Sequence, residues 1–432
     1  MESVIKSVIT CDMEGRIETF NKGAEDLFGY QAEEVIGKKR VSVFSPGLTV
    51  LAHVPNWLKT ASEEGEFQSQ TVFLRRDGSP IAAHVRITPT FRDGKQIGYC
   101  GITEPLENVN IADAAPNIGI MTRIFAWLVI TRAPFLTAIF MPILLGAAWV
   151  AHQGLVQPFP SGLFWLILVA GLSMHIAANT FNDYFDWRSG ADRINNDYFL
   201  PFSGGSRSIE LGLINERALF AVASIALLVS TGLGLLLTYI SGPGVLLFGL
   251  VGAFSAYFYT APPLRLAARR GLGELFVGLN FGPLAVAGTV YALTGQVGLV
   301  DFLVGLPIGL LTTAILWINQ FPDEDSDRAA GKYNLVVVFG GQQARWGYLA
   351  LLAVAFGLVF YGALAGFFPV GVVLTLLVLP VAVYTSRVLL REYDQRSLVR
   401  ANSATIQLHL LAGLLMTIGT LFSVQISRLL GG

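Results

Sequence analysis

From about residue 133 to about residue 426 the chain is a succession of apolar runs, each close to the ~20 residues a helix needs to cross a bilayer. Hydrocarbon offers no water to an unpaired N–H or C=O group, so a spanning run must satisfy its own backbone and reads as a helix. Nine such spans are expected, at 133–151, 161–181, 217–240, 243–260, 273–293, 300–320, 345–366, 369–387 and 404–426. Several contain Gly and Pro, which membrane helices tolerate. Composition agrees: 53% of the 432 residues are hydrophobic and 14% are charged, against about 25% charged in soluble domains. The expected fold is a polytopic α-helical membrane protein with nine transmembrane helices.

Charge is distributed unevenly along the connections. Arg188, Arg193, Arg207, Arg265, Arg269, Arg270, Arg328, Lys332, Arg345, Arg387, Arg391, Arg396 and Arg400 fall in or beside the even-numbered loops. The odd-numbered loops, around Gln153, Gly242, Gln296 and Gly366, have no Lys or Arg. The positive-inside rule then predicts a multi-pass protein of the cytoplasmic membrane, with the N-terminal region and even loops cytosolic and the C-terminus outside. A net charge of -1 argues against a nucleic-acid partner. Cys11 and Cys100 are isolated, give no metal-ligand spacing, and predict no disulfide in a cytosolic region. Charged residues interrupt positions 1–20, which lack the apolar core of a signal peptide.

Residues 1–105 have ordinary charge and no spanning run, so they are expected to form a separate soluble α/β domain. Val8-Ile9-Thr10 and Ile17 to Phe20 flank a turn at Glu14-Gly15, and Asn21 is placed to cap a helix closed by Gly29. Strands at Gln68–Leu74 and Ile81–Thr88 follow, joined by Asp77-Gly78, with a last strand near Ile97–Ile102. This order, with Asp12-x-x-Gly15-x-Ile17, Asn21-x-x-Ala24-x-x-Leu27-Phe28-Gly29-Tyr30 and Arg76-Asp77-Gly78, resembles a PAS sensor domain. The resemblance implies a ligand such as haem, flavin or a metabolite, or pairing with another PAS domain in a homodimer. The middle helices have no cysteine for a flavin photoadduct, and the words around His53 do not match those of haem-binding members. Haem and flavin are therefore not expected, and the ligand stays open. Residues 106–123, with Asn108 and Pro116, read as a linker to an interfacial segment containing Arg123 and Trp127, leaving 124–432 as the transmembrane domain.

Two acidic segments end apolar spans: Asn182-Asp183-Tyr184-Phe185-Asp186 and Asp323-Glu324-Asp325-Ser326-Asp327. Asp186 lies four residues after Asn182, and Asp323 and Asp327 lie four and eight after Asn319, so on helices each set would project from one face. Converging carboxylates need a cation. Hard oxygen ligands suit Mg²⁺, which usually sits between one or two carboxylates and substrate phosphates. Sequence thus points to a membrane enzyme handling a diphosphate. His175, within the second span, has no second His or Cys at ligand spacing and is expected to be a packed helix residue.

Three words, Asn182-Asp183-x-x-Asp186, Tyr257-x-Tyr259-Thr260-x-Pro262-Pro263 and Asp323-x-x-x-Asp327-x-x-x-Gly331-Lys332, resemble the UbiA superfamily of intramembrane prenyltransferases over roughly residues 120–432. Ser203-Gly204-Gly205-Ser206-Arg207 and Gln320-Phe321-Pro322-Asp323 are most similar to the 1,4-dihydroxy-2-naphthoate branch. The resemblance implies a prenyl diphosphate donor, an aromatic acceptor that loses its carboxyl group, and Mg²⁺ held by Asp183, Asp186, Asp323 and Asp327 as the catalytic and metal residues. Arg207 and Lys332, with Arg193 and Arg265, would bind the diphosphate. Asn182, Tyr184, Tyr257 and Asn319 would contact the acceptor or stabilise an allylic cation, the tyrosines through their ring faces. Many members carry a further Asp four residues after the position of Asp186; here that residue is Gly190, with Asp192 two later. Acceptors such as 4-hydroxybenzoate, homogentisate, a chlorophyllide or a lipid glycerol remain alternatives, as does a sensor-linked cation transporter.

Overall fold

The computed structural model describes residues 6–190 and 205–429. Contacts divide the chain into two units, one comprising residues up to Ile130 with Arg207–Asn215, the other Thr131–Ser206 and Glu216 onward.

In the N-terminal unit five antiparallel strands, β1 (Ser7–Asp12), β2 (Ile17–Phe20), β3 (Phe67–Leu74), β4 (Pro80–Arg92) and β5 (Lys95–Pro105), form one sheet in the order β2-β1-β5-β4-β3. This is a PAS fold. Period-2 alternation buries Ser7, Ile9 and Cys11 on one face of β1. Asn21 Oδ1 accepts from the Ala24 N–H, and Gly29, at φ 77, ends helix Lys22–Phe28. Phe28 and Phe44 stack with centroids 4.3 Å apart and anchor a core with Ile17, Val35 and Val85. Burial pushes the Cys11 thiol up to about 12. His53 Nε2 lies 3.0 Å from the Asn117 carbonyl.

Arg207–Asn215, which fell within the transmembrane domain by sequence with Arg207 as an expected diphosphate ligand, belongs to this unit. The Leu211 carbonyl packs onto Gly47, where a Cβ would come within 1.9 Å of it. Helix Ile120–Ile130, of 11 residues, is too short to span and leaves Met121, Phe125 and Trp127 exposed, the character of an interfacial helix.

In the second unit eight helical stretches among the described residues are long and apolar enough to cross a bilayer. The expectation of nine is not met by that measure, because the fourth, Gly244–Phe258, has only 15 residues. At 1.5 Å per residue it reaches about 22 Å, against a hydrocarbon core of about 30 Å. Helix Leu272–Leu279 passes through a π-turn at Asn280–Leu284, around Pro283, before continuing as Ala285–Thr294. There Gly282 lies against Gly305 and Gly309 so closely that a Cβ would come within 2.5 Å of the neighbouring backbone. Tyr348, Met141, Leu145, Ile308, Leu408 and Met416 are among the fully buried side chains of the core.

Candidate active site

The second unit contains a partly open cavity of about 480 Å³. Ile143, Phe248, Val277, Phe281 and Leu284 contribute apolar walls, and Arg132, Asn182, Asp186, Asn319, Asp323, Asp327 and Lys332 also line it.

Helix Ser161–Ser189 runs unbroken through the first acidic segment. The i,i+4 pair Asn182 and Asp186 therefore shares a face, and Asn182 Nδ2 donates to Asp186 Oδ2 at 3.1 Å. Asp183, about 100° further round the helix, is outside the cavity lining and 4% exposed. Both its carboxylate oxygens accept from the Ser206 N–H at 3.3 Å, and Arg132 Nη1 lies 3.7 Å away. Arg132 holds a left-handed φ of 53 and donates to Asn182 Oδ1 at 3.1 Å.

The second segment departs from the expected single face. Helix Leu299–Asn319 stops at its motif asparagine; Gln320 is its C-cap, and Pro322, lacking an N–H, cannot extend it. Asp323 caps a separate short helix, Glu324–Ala329, where the Asp327 N–H bonds the Asp323 carbonyl at 2.7 Å. Gly331, at φ 70, then turns the chain so that the Lys332 N–H reaches the Asp327 carbonyl at 2.8 Å. The cavity nonetheless reunites Asn319, Asp323 and Asp327 along its wall.

Lys332 joins the two halves. Its Nζ is 2.9 Å from Asp186 Oδ2 and 3.7 Å from Asp327 Oδ1, so one ammonium balances a carboxylate from each segment. Asn334 Nδ2 donates to Asp327 Oδ2 at 2.7 Å. Burial pushes Asp327 up to about 7; the Lys332 charge opposes the shift, and the Asp323 and Asp186 charges add to it. Glu274 Oε1 accepts from Gln320 Nε2 at 3.1 Å and from the Leu335 N–H at 2.8 Å, tying together both ends of the loop that carries Asp323, Asp327 and Lys332.

No group of three or more His, Cys, Asp or Glu side chains poised for a metal occurs among the described residues. Mg²⁺ needs only one or two carboxylates when a phosphate completes its shell. Asp186 and Asp327, already meeting at one cation, with Asp323 on the same cavity, fit that requirement.

Other expected site residues lie elsewhere. Tyr184 packs on Phe220 at 4.9 Å, and Tyr257 meets Phe181 and Phe185 edge-on at 5.3 and 5.6 Å. Neither tyrosine lines the cavity, whereas Tyr259 does. Their aromatic cluster covers another side of helix Ser161–Ser189, so they are not placed to face a cation in the cavity. Arg265, at φ 43, is also outside the lining. Arg207 belongs to the N-terminal unit, where its buried guanidinium pairs with Glu210 at 2.9 Å. Arg193 and Asp192 lie outside the described residues. Sequence reasoning missed Arg132, Ser206, Glu274 and Asn334; only Arg132, a lone cation just before the first span, carried a readable signal.

Residues 139–422 match the model of the UbiA prenyltransferase family, and residues 5–104 match that of the PAS domain. The 1,4-dihydroxy-2-naphthoate octaprenyltransferase of Escherichia coli is 31% identical over 314 residues, covering 70% of this chain and 97% of that protein. Its namesake from Bacillus subtilis is 29% identical, covering 68% of this chain and 91% of the relative. Among solved structures, a UbiA homologue from Aeropyrum pernix superposes with a TM-score of 0.50 at 20% identity, covering 67% of this chain and 98% of that one. With its acidic segments meeting across an apolar cavity, the chain belongs to the UbiA prenyltransferase family and is a multi-pass membrane prenyltransferase.

Proposed function

We propose that the protein transfers a prenyl group from a prenyl diphosphate to 1,4-dihydroxy-2-naphthoate, with loss of the acceptor's carboxyl group as CO₂, in menaquinone synthesis. The observation that carries the reading is the single ammonium of Lys332 between Asp186 and Asp327, on a cavity with apolar walls. A prenyl diphosphate has matching halves: a tail that favours apolar walls and a head that needs cations. Asp186, Asp323 and Asp327 would hold Mg²⁺, which when bound neutralises the diphosphate and improves it as a leaving group. Asp183, tied to Ser206 and Arg132, braces the first segment. Lys332 and Arg132 attract the diphosphate oxygens, and the apolar walls exclude water that would quench the allylic cation. The acceptor ring attacks that cation, the new C–C bond forms where the carboxyl group leaves, and the ring regains aromaticity. The names of the two relatives from Escherichia coli and Bacillus subtilis support this acceptor.

Residues 1–105 would act as the sensor, 106–123 as the linker and 124–432 as the catalytic domain, with sensor and acidic segments cytosolic in the cytoplasmic membrane. The test is incubation of membranes containing the protein with a prenyl diphosphate, Mg²⁺ and a panel of aromatic acceptors. Prenylated, decarboxylated naphthoate is expected. Product with another acceptor alone would reassign the substrate; no product with any, together with cation flux lost in Asp186→Ala, would overturn the enzyme reading in favour of transport.

A further inference from the structure

Asn402, in helix Val399–Leu421, is fully buried, and its Nδ2 gives both protons to the end of helix Leu299–Asn319, just before the second acidic segment. One goes to the Ile318 carbonyl at 3.1 Å and the other to Asn319 Oδ1 at 2.8 Å. These bonds fix two amide orientations without ambiguity. A backbone carbonyl only accepts, so the Asn402 group facing it is the NH₂; an NH₂ facing Asn319 then requires the oxygen of that amide. Asn319, which lines the cavity, is left with its own NH₂ as the polar group it can offer there.

The first segment is built the same way from a different residue. Arg132, a donor only, holds Asn182 Oδ1, and Asn182 Nδ2 in turn donates to Asp186. Each motif asparagine thus has its oxygen anchored from an element outside its own helix. The Asn402 arrangement is costly for a packing residue, since its Oδ1 is buried with no hydrogen-bond partner among the described residues. We infer that Asn402 is a positioning residue that holds Asn319 as an N–H donor to an anionic oxygen of the bound diphosphate. This rests on the prenyl diphosphate reading given above.

The test is calorimetric titration of the detergent-solubilised full chain with inorganic pyrophosphate in the presence of Mg²⁺, for wild type, Asn319→Ala, Asn402→Asp and the double variant. Asn402→Asp preserves shape but cannot donate as a carboxylate, so Asn319 turns over and presents its oxygen to the cavity. Asn319→Ala and Asn402→Asp should each weaken binding about tenfold, the loss of one charge-assisted hydrogen bond. The double variant should bind no worse than Asn319→Ala alone. Multiplying losses in the double variant, or wild-type affinity in Asn402→Asp, would overturn the inference. If Asn402→Asp does not fold, Asn402→Ala completes the same cycle, and non-additivity again decides. Failure of the wild type to bind Mg²⁺–pyrophosphate would count against the diphosphate reading itself, and is distinguishable because it precedes any variant. A merely structural role for Asn402 would lower the thermal midpoint equally with and without Asn319 and leave no coupling in the affinities.

Discussion

In the first acidic segment one uninterrupted helix carries Asn182, Asp183 and Asp186, so helical periodicity itself decides which carboxylate faces the cavity and which faces Ser206. In the second, the helix ends at Asn319, and a turn, a short helix and a positive-φ glycine bring Asp323, Asp327 and Lys332 back to the same cavity. Similar Asn-to-Asp spacing is therefore realised by two constructions. The first is rigid through its own backbone hydrogen bonds. The second depends on residues far away in sequence, Glu274 and Asn402, to hold both its ends. A motif spacing specifies which side chains are wanted, and leaves open which backbone delivers them.

The contrast is broken most directly at the carboxylates. Asp186→Ala and Asp327→Ala should each lower kcat/KM more than about 100-fold, beyond the 10–100-fold typical of groups one layer outside a metal. Asp183→Asn should cost only about tenfold, as expected of a brace outside the lining. Steady-state prenyl transfer separates them, and an equal loss at Asp183 would mean that the first segment presents both carboxylates.

Lys332→Met leaves two facing carboxylates without their cation and should destabilise the metal-free protein by about 2 kcal/mol, reduced from the full buried-pair penalty because the groups keep some solvent. Mg²⁺ should recover more stability in this variant than in wild type, read as thermal midpoints with and without the ion. Glu274→Ala should cost about 1–3 kcal/mol by freeing the Gln320 amide and the Leu335 N–H. Its activity loss should resemble that of second-segment variants, and unchanged KM for the diphosphate would count against the two-ended clamp.

The pH dependence belongs to the second segment. Asp327 is raised to about 7 by burial, so its favourable contribution to the metal-free fold is complete only below the ordinary carboxylate range and is lost as pH rises through about 7. Under the proposed Mg²⁺ role metal binding would run the other way, because the Asp327 carboxylate would have to be ionised to act as a ligand. Mg²⁺ affinity should fall as pH drops through about 7, and an Asp327→Asn variant should lose that dependence. The smallest expected effect is at the turn. Gly331→Ala, strained at φ 70, should destabilise by about 1 kcal/mol, measured by thermal unfolding.

Much of the architecture was legible because it rests on local periodicity. Period-2 alternation revealed β1, and the Asn21 cap and Gly29 stop revealed the first helix. Apolar length revealed the spans, except that length alone does not separate the 15-residue helix Gly244–Phe258 from a full crossing once Tyr259 and the Pro262-Pro263 turn follow it. Tyr184 and Tyr257 were misplaced for a related reason. Aromatic chemistry suits a cation, but only packing determines that these rings face Phe220, Phe181 and Phe185 instead of the cavity.

The sequence by itself determined the membrane-spanning class and the two acidic segments, since hydropathy, charge and spacing are properties of neighbouring residues, and it singled out Asp186, Asp323, Asp327 and Lys332 as candidates. Tertiary structure alone decided that Lys332 bridges both segments, that Arg207 joins the N-terminal unit, and that Arg132 and Asn402 orient the motif asparagines. Those facts depend on side chains 50, 83 and 146 residues apart meeting within hydrogen-bond range, and no local pattern encodes which distant donor finds which acceptor.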